Sequence, residues 1–288
     1  MNTPPSEWTV LIMLKWGTSY FEEKKVRNPR FSIEWLLAYI LEVKRLDIYL
    51  MYDRPLVPEE LKKLRPLVKR RSQHEPLQYI TGKTDFLNAT LKVAPGVLIP
   101  RMETEQLVEM ILEEEPSSEK YSVLDIGTGS GCIPIALKIE REEWDMYATD
   151  ISKEALEIAK ENAKINEVEV TFIEDDVLNS SAFSKKQRFD LIISNPPYIL
   201  EEEENSLDRE VKEFEPASAL FCKSTAAMYG AIEEFANQYL VKEGNLYLEL
   251  HERHAQEVKA IFNSPKWDSL IHQDYDKKER FLVSKKIK

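Results

Sequence analysis

Val123-Leu124-Asp125-Ile126-Gly127-Thr128-Gly129-Ser130-Gly131 decides the fold: a short apolar strand runs into glycines at alternate positions, and a helical stretch, Cys132–Glu140, follows at once. Glycine lets the chain turn sharply and lets a ligand approach the backbone closely. Working outward, further apolar strand candidates lie at 146–150, 169–173, Phe189–Ser194 and 245–250, with 281–284 as a last one. Lys153–Ile165 reads as a helix between two of them. Strands alternating with helices predict a parallel sheet covered by helices on both faces.

A dinucleotide fingerprint would place glycine at 127, 129 and 132, but position 132 is Cys132; the spacing fits G-x-G-x-G instead. That difference bears on the ligand. A dinucleotide brings a pyrophosphate to the helix N-terminus, whereas S-adenosylmethionine has no phosphate and carries a sulfonium cation. Asp125, just before the glycines, is placed to hold the ammonium end of that cofactor, directly or through water. Gly127, Thr128, Gly129, Ser130 and Gly131 form the expected cofactor loop. Asp150 ends the next strand, 25 positions after Asp125, where a carboxylate can accept both ribose hydroxyls. Glu174-Asp175-Asp176-Val177 ends the strand after that. There Asp176 is positioned to accept from the adenine amino group and Val177 to pack on the ring.

Ser194-Asn195-Pro196-Pro197-Tyr198 follows the fourth strand. Prolines remove ladder donors inside a sheet but suit a rigid exit from it. In open α/β sheets that carboxyl edge binds ligands. An amide nitrogen is a weak nucleophile, because its lone pair is delocalised into the carbonyl. Two acceptors on its hydrogens, the Asn195 oxygen and the Pro196 carbonyl, would hold it rotated toward a methyl donor, with Tyr198 walling the pocket. Positioning and preorganised dipoles then supply the rate without a strong base.

The remaining sequence mostly excludes. The first 80 residues read as helical, with one helix from Asn28-Pro29 through Leu41 and another over 58–73, whose Lys69, Arg70 and Arg71 read as a solvated face. Gly82, Asn88 and Pro95-Gly96 predict a hairpin-like connection over 81–100. Of the chain's 288 residues, 39 are Lys or Arg and 51 are Asp or Glu, a formal net charge of −12. Such a chain is a poor general binder of phosphate backbones, so direct nucleic-acid binding is not expected. Two cysteines are too few for a disulfide framework, which points to a reducing, cytoplasmic compartment. No secretory signal or membrane span is visible. His251 and His254 lie three apart without a third ligand at metal spacing, so no metal is expected. Cys132, behind the glycine loop, reads as a packing residue.

Asn195 to Tyr198 together with 125–131 resembles the class I amino-methyltransferases, which modify exocyclic amines of DNA and RNA bases and the side-chain amide of glutamine. Glu75-Pro76-Leu77-Gln78-Tyr79-Ile80-Thr81-Gly82 and Val97-Leu98-Ile99-Pro100-Arg101-Met102-Glu103-Thr104-Glu105 narrow the choice. They closely resemble the release factor glutamine methyltransferases, also called the HemK or PrmC family. Glu215-Pro216, Ala219-Leu220-Phe221, Asp53 and Leu56 fit as well, so the resemblance covers nearly the whole chain. It implies a Rossmann-like seven-stranded methyltransferase sheet with a small N-terminal helical domain. The implied division is a substrate-recognition domain over 1–80, a linker over 81–100 and a catalytic domain over 101–288. The implied substrate is the glutamine of the Gly-Gly-Gln loop in class I peptide chain release factors. Asn195, Pro196 and Tyr198 would be catalytic. Pro197, Arg101 and Glu103 would join them in holding substrate, and 127–131, Asp150, Val177 and Asn195 would meet the cofactor. A base amino-methyltransferase shares the tetrapeptide and is the alternative; a non-enzymatic binding protein on the same fold is a third reading. Two departures stand out: Met102 where the family has proline, and 222–228 in place of a glycine-rich acidic stretch.

Overall fold

The computed structural model describes residues 7–116 and 118–288. They fall into two compact units. One runs to Gly82 and also takes in Asp208–Phe214; the other comprises Lys83–Leu207 and Glu215–Lys288.

The first unit is helical. α1 (Val10–Glu23) starts at Thr9, whose hydroxyl accepts the Ile12 N–H at 3.3 Å. α2 (Pro29–Leu41) starts at Pro29, with Asn28 before it in the left-handed region. A Cβ at Gly17 would collide with Ile33, so glycine sets the close approach of α1 to α2. α3 (Pro58–Ser72) and α4 (Leu77–Thr81) complete the N-terminal run, closed by Gly82 at φ 75°. Leu14, Phe21, Ile33, Leu36, Leu37 and Leu64 form the centre of its core. Burying each contributes about 1.5–3 kcal/mol relative to exposure.

The predicted solvated face at the end of α3 holds only for Lys69, which is exposed. Arg71 is 3% exposed. Its guanidinium donates to Ser32 Oγ at 3.0 Å, to the Glu75 carbonyl at 2.9 Å, to the Arg27 carbonyl at 3.1 Å and to Glu210 at 2.8 Å. Glu210 lies on α8 (Arg209–Phe214), inside the segment that returns to this unit. A planar fork of five donors is what allows one buried cation to tie α2, α3 and α8 together.

The second unit opens with the hairpin β1 (Lys83–Phe86) and β2 (Ala89–Lys92). Its chain order continues α5 (Met102–Glu114), β3 (Ser122–Ile126), α6 (Cys132–Glu140), β4 (Asp145–Asp150), α7 (Lys153–Ile165), β5 (Thr171–Glu174), β6 (Phe189–Ser194) and β7 (Ile199–Leu200). After the excursion to α8 come α9 (Ala217–Leu220), β8 (Phe221–Cys222), α10 (Thr225–Tyr239), β9 (Leu240–Glu249), α11 (Ala255–Ile261), β10 (Trp267–Gln273) and β11 (Glu279–Lys286). Seven strands form one sheet in the order β10-β11-β9-β6-β3-β4-β5, with β11 antiparallel to its neighbours and β6, β3, β4 and β5 parallel. The expected Rossmann-like sheet is thus present. Its order reverses between β3 and β6, the kind of switch point where such sheets bind ligands. Leu107, Ile111, Ile133 and Leu137 pack one face, and Tyr229, Ile232, Phe235 and Val258 the other.

Two strand expectations needed revision. β9 begins at Leu240, before the expected 245, because Lys242-Glu243-Gly244 interrupts the apolar run without interrupting the strand. β10 carries no clear strand signal: it is an edge strand of alternating burial whose outer row sets Leu270, 61% exposed, between Asp268 and His272. Among the described residues no helix is long and apolar enough to cross a membrane.

Glu210→Ala should lower the stability of the helical unit by about 2 kcal/mol, since it leaves a buried guanidinium short of its carboxylate. Glu210→Gln, which keeps one acceptor, should lose less. Denaturant unfolding with amide exchange read at α2 and α3 checks both.

Candidate active site

The tips of β3, β4, β5 and β6 border one cavity of about 280 Å³, near the lower end of the range for small-molecule sites. Gly127, Gly129 and Gly131 all have positive φ, at 74°, 54° and 80°. The N–H groups of Gly127 and Thr128 both donate to the Thr149 carbonyl at 2.9 Å, which folds the loop over the end of β4. A Cβ at Gly127 or Gly129 would meet no atom within 4 Å, so these glycines face open space, as a ligand cradle requires. Asn162 of α7, fully buried, anchors the loop from behind. Its amide donates to the Ser130 carbonyl at 2.9 Å and pairs with both backbone groups of Lys92. Nothing in the sequence marked it, since an asparagine inside a helix looks like any polar position.

The three expected acids are placed differently from one another. Asp150 lines the cavity and is already oriented: Oδ2 accepts the Gly129 N–H at 2.8 Å and Oδ1 the Ser152 N–H at 2.9 Å. Burial raises its pKa, and the backbone N–H groups of Ser152, Gly129 and Ile151 oppose the rise. Asp176 also lines the cavity, but its carboxylate caps a short turn by accepting the Leu178 N–H at 3.0 Å. Val177 stands beside it on the wall. Asp125 has no exposed surface, and among the described residues neither of its oxygens has a hydrogen-bond partner. Burial pushes its carboxyl up to about 7, with the nearby Thr128 hydroxyl pulling down and the Asp150 charge adding to the rise. A buried carboxylate with free lone pairs behind a glycine loop fits a cationic ligand reached through water rather than by direct contact.

Asn195, Pro196 and Pro197 line the same cavity at the end of β6. The Asn195 amide donates from Nδ2 to Thr104 Oγ1 at 3.0 Å, and Thr104 donates to Glu249 Oε2 at 2.7 Å. Tyr198 lies outside the cavity lining, and its hydroxyl donates to Glu249 Oε1 at 3.1 Å. Burial pushes the Glu249 carboxyl up to about 7 against the hydroxyls of Thr104 and Tyr198. Thr104 and Glu249 join the site only through the folded structure, by way of the Asn195 side chain. Glu249 does carry a local signal, an acid ending an apolar strand as Asp150 ends β4. Arg101 pairs with Glu215, which also accepts the Ile99 N–H at 3.2 Å. This pair pins the stretch before α5 to the stretch before α9. Glu103 is half-buried, and its charge bears on both Glu249 and Tyr198.

Residues 13–82 match the PrmC N-terminal domain and residues 92–217 the methyltransferase small domain. The chain is 43% identical to the release factor glutamine methyltransferase of Lactococcus lactis subsp. lactis, over 88% of this chain and 94% of that protein. It is 39% identical to the protein of that name in Chlorobaculum tepidum, over 96% of each chain. For the one in Geobacter sulfurreducens the figures are 40% identity and 91% of each. The chain belongs to the release factor glutamine methyltransferase family.

Both departures from the family pattern have local explanations. Met102 is the first residue of α5 and 72% exposed. Proline suits that position because its missing N–H would have no helical partner. Methionine forfeits only the fixed φ, and Arg101 is held by Glu215 in any case. The 222–228 stretch pairs Cys222 with Leu200 and caps α10, where Ser224 Oγ accepts the Ala227 N–H at 3.3 Å. Cys132 and Cys222 are both buried and unpaired. His251 and His254 do acquire a third group absent from their sequence neighbourhood. Glu203 joins them with ligand atoms all within 4.8 Å of one another. Its carboxylate, however, has the Arg253 guanidinium at 3.4 Å, and His251 Nδ1 accepts the Arg253 N–H at 3.2 Å.

The raised Asp125 carboxyl makes the folded state bind a proton more tightly than the unfolded chain, so its contribution is full below about pH 4 and is lost as pH rises toward 7. Asp125→Asn lacks this loss. Its unfolding midpoint in denaturant, relative to the parent, should therefore rise between pH 5 and pH 8. A difference independent of pH would mean the carboxyl titrates normally.

Proposed function

We propose that this chain methylates the side-chain amide nitrogen of the glutamine in the Gly-Gly-Gln loop of class I peptide chain release factors, with S-adenosylmethionine as methyl donor. The observation that carries the proposal is a single cavity whose wall holds both Gly127–Ser130 with Asp150 and Val177, and Asn195 with Pro196. A donor site and an amide-binding tip share one wall, as transfer between them requires.

S-adenosylmethionine, when bound, supplies a methyl group on a sulfonium that departs as a neutral thioether. Gly127 and Gly129 would give its amino-acid end a wall without side chains, while Gly131, outside the lining, packs toward Ala159 and Ile135; Asp150 would accept from the ribose, Val177 would pack on the adenine, and Asp125 would supply negative charge from behind. Asn195 Oδ1 and the Pro196 carbonyl accept the two hydrogens of the glutamine nitrogen and turn its lone pair out of conjugation toward the methyl group. One of those hydrogens leaves to solvent after transfer, so no strong base is needed. The contribution of Asn195 and Pro196 is orientation and dipoles fixed before reaction. The glycines of the substrate loop leave room for a backbone to reach this tip, and the helical unit adds a second contact that raises effective concentration. A net charge of −12 suits a partner that works on ribosomal RNA and carries basic surface.

Two measurements follow. Asp150→Ala should weaken S-adenosylmethionine binding by roughly 1.5–3 kcal/mol in a folded protein, the range for hydrogen bonds to a charged group; unchanged calorimetric affinity removes Asp150 from the site. Asn195→Ala should lower turnover on an intact release factor on the order of 100-fold while leaving cofactor affinity nearly intact. Peptide mass spectrometry of the release factor, with bare nucleic acid assayed alongside, identifies the product. Methyl on adenine or guanine, and none on the glutamine, would overturn the proposal in favour of base methylation.

A further inference from the structure

Asn195 has two chemically different ends on a nearly symmetric frame. Its oxygen can hold an amide hydrogen; its nitrogen cannot. Which end faces the cavity therefore decides whether the site works, and the amide alone does not settle it. The surrounding hydrogen bonds do. Thr104 is 2% exposed, and its hydroxyl has one hydrogen and two lone pairs. That hydrogen goes to Glu249 Oε2 at 2.7 Å. Thr104 Oγ1 can then only accept, so the group facing it at 3.0 Å must be the donor end of Asn195. The oxygen end of Asn195 is left for the cavity.

We propose that Glu249 and Thr104 are positioning residues: the carboxylate on β9 fixes the direction of a hydroxyl relay that holds the Asn195 oxygen toward the substrate nitrogen. The inference rests on the role given to Asn195 above. Direction enters only at Glu249. As an ionised acceptor it forces the order carboxylate, hydroxyl, amide. Protonated on Oε2, it donates to Thr104 instead, and Thr104 is freed to donate to the Asn195 oxygen, which turns the amide round. The groups around Glu249 that carry or titrate charge are Tyr198, which donates to Oε1, Glu103 on α5, Arg280 on β11, Cys132 at the start of α6 and Tyr229 on α10. Arg280 alone among them brings positive charge, and it favours the ionised, directing form.

Thr104→Val keeps the shape and removes the relay, while Thr104→Ser keeps the relay. With saturating cofactor and an intact release factor, Thr104→Val should lose at least about tenfold in kcat with KM and cofactor affinity little changed, and Thr104→Ser should restore most of it. In the parent, kcat should fall as pH drops through about 7. Glu249→Gln, which still offers Thr104 an acceptor, should flatten that acid limb. Asn195→Ala is measured in parallel. If it retains turnover, the role of Asn195 itself fails. If it is inactive while Thr104→Val keeps its kcat, or the valine and serine variants lose equally, or the loss lies wholly in KM, the relay is wrong. An acid limb unaltered in Glu249→Gln removes Glu249 from it, and this last readout serves even if Thr104→Val does not fold.

Discussion

Two carboxylates without access to solvent flank the strand that carries the reacting tip. Asp125 lies one residue from the end of β3 on one side of β6, and Glu249 ends β9 on the other. The registers bring them nearly level with Asn195: Asp125 stands opposite Ile193, and Leu248 opposite Ser194. A charge removed from water is costly unless it is paired or hydrogen-bonded, and the two acids meet that constraint differently. Glu249 is satisfied by the hydroxyls of Thr104 and Tyr198, which fastens α5 and the proline-rich exit to the sheet. Asp125 is left unsatisfied behind the glycine loop. One buried acid thus orders the protein side of the cleft, and the other sits behind the glycine loop with only the nearby Thr128 hydroxyl to ease its burial.

The strand order explains why both are needed. Four parallel strands deliver their carboxyl ends to the same edge, so a small ligand and an amide can be met by residues far apart in sequence. Such an edge is also where backbone groups run out of sheet partners. The loop N–H groups of Gly127, Thr128 and Gly129 are satisfied by Thr149 and Asp150, and its Ser130 carbonyl by Asn162. The loop is therefore rigid before any ligand arrives, and little ordering remains to be done on binding.

Elements with a strong period or a local punctuation signal were legible in the sequence. α6, α7 and β6 fall where the apolar pattern put them, and α2 starts at Asn28-Pro29 as expected. The glycine loop and Asn195 were legible because glycine and proline at a strand end have few other uses. What stayed hidden depends on partners distant along the chain. Thr104 meets Glu249 across 145 positions, and Arg101 meets Glu215 across 114. Arg71 read as surface because its burial is decided by Glu210, 139 positions away. Tyr198 was expected on the pocket wall; its ring instead lies edge-on to His251 at 5.8 Å, a contact no local pattern announces. Single-sequence patterns report periodicity and turn chemistry, and a buried polar pair leaves no trace in either.

The span between Arg71 and Glu210 also sets an order of events during synthesis. α3 precedes α8 along the chain, so the Arg71 guanidinium lacks its carboxylate until 139 more residues have been added. At translation rates of about 5–20 residues per second, that interval lasts roughly 7–28 seconds. During it Arg71 has only the uncharged partners of its own neighbourhood, the Ser32 hydroxyl and the Glu75 and Arg27 carbonyls. The helical unit is therefore closed by a returning segment of its own, which is made only after β3, β4, β5 and β6 of the sheet.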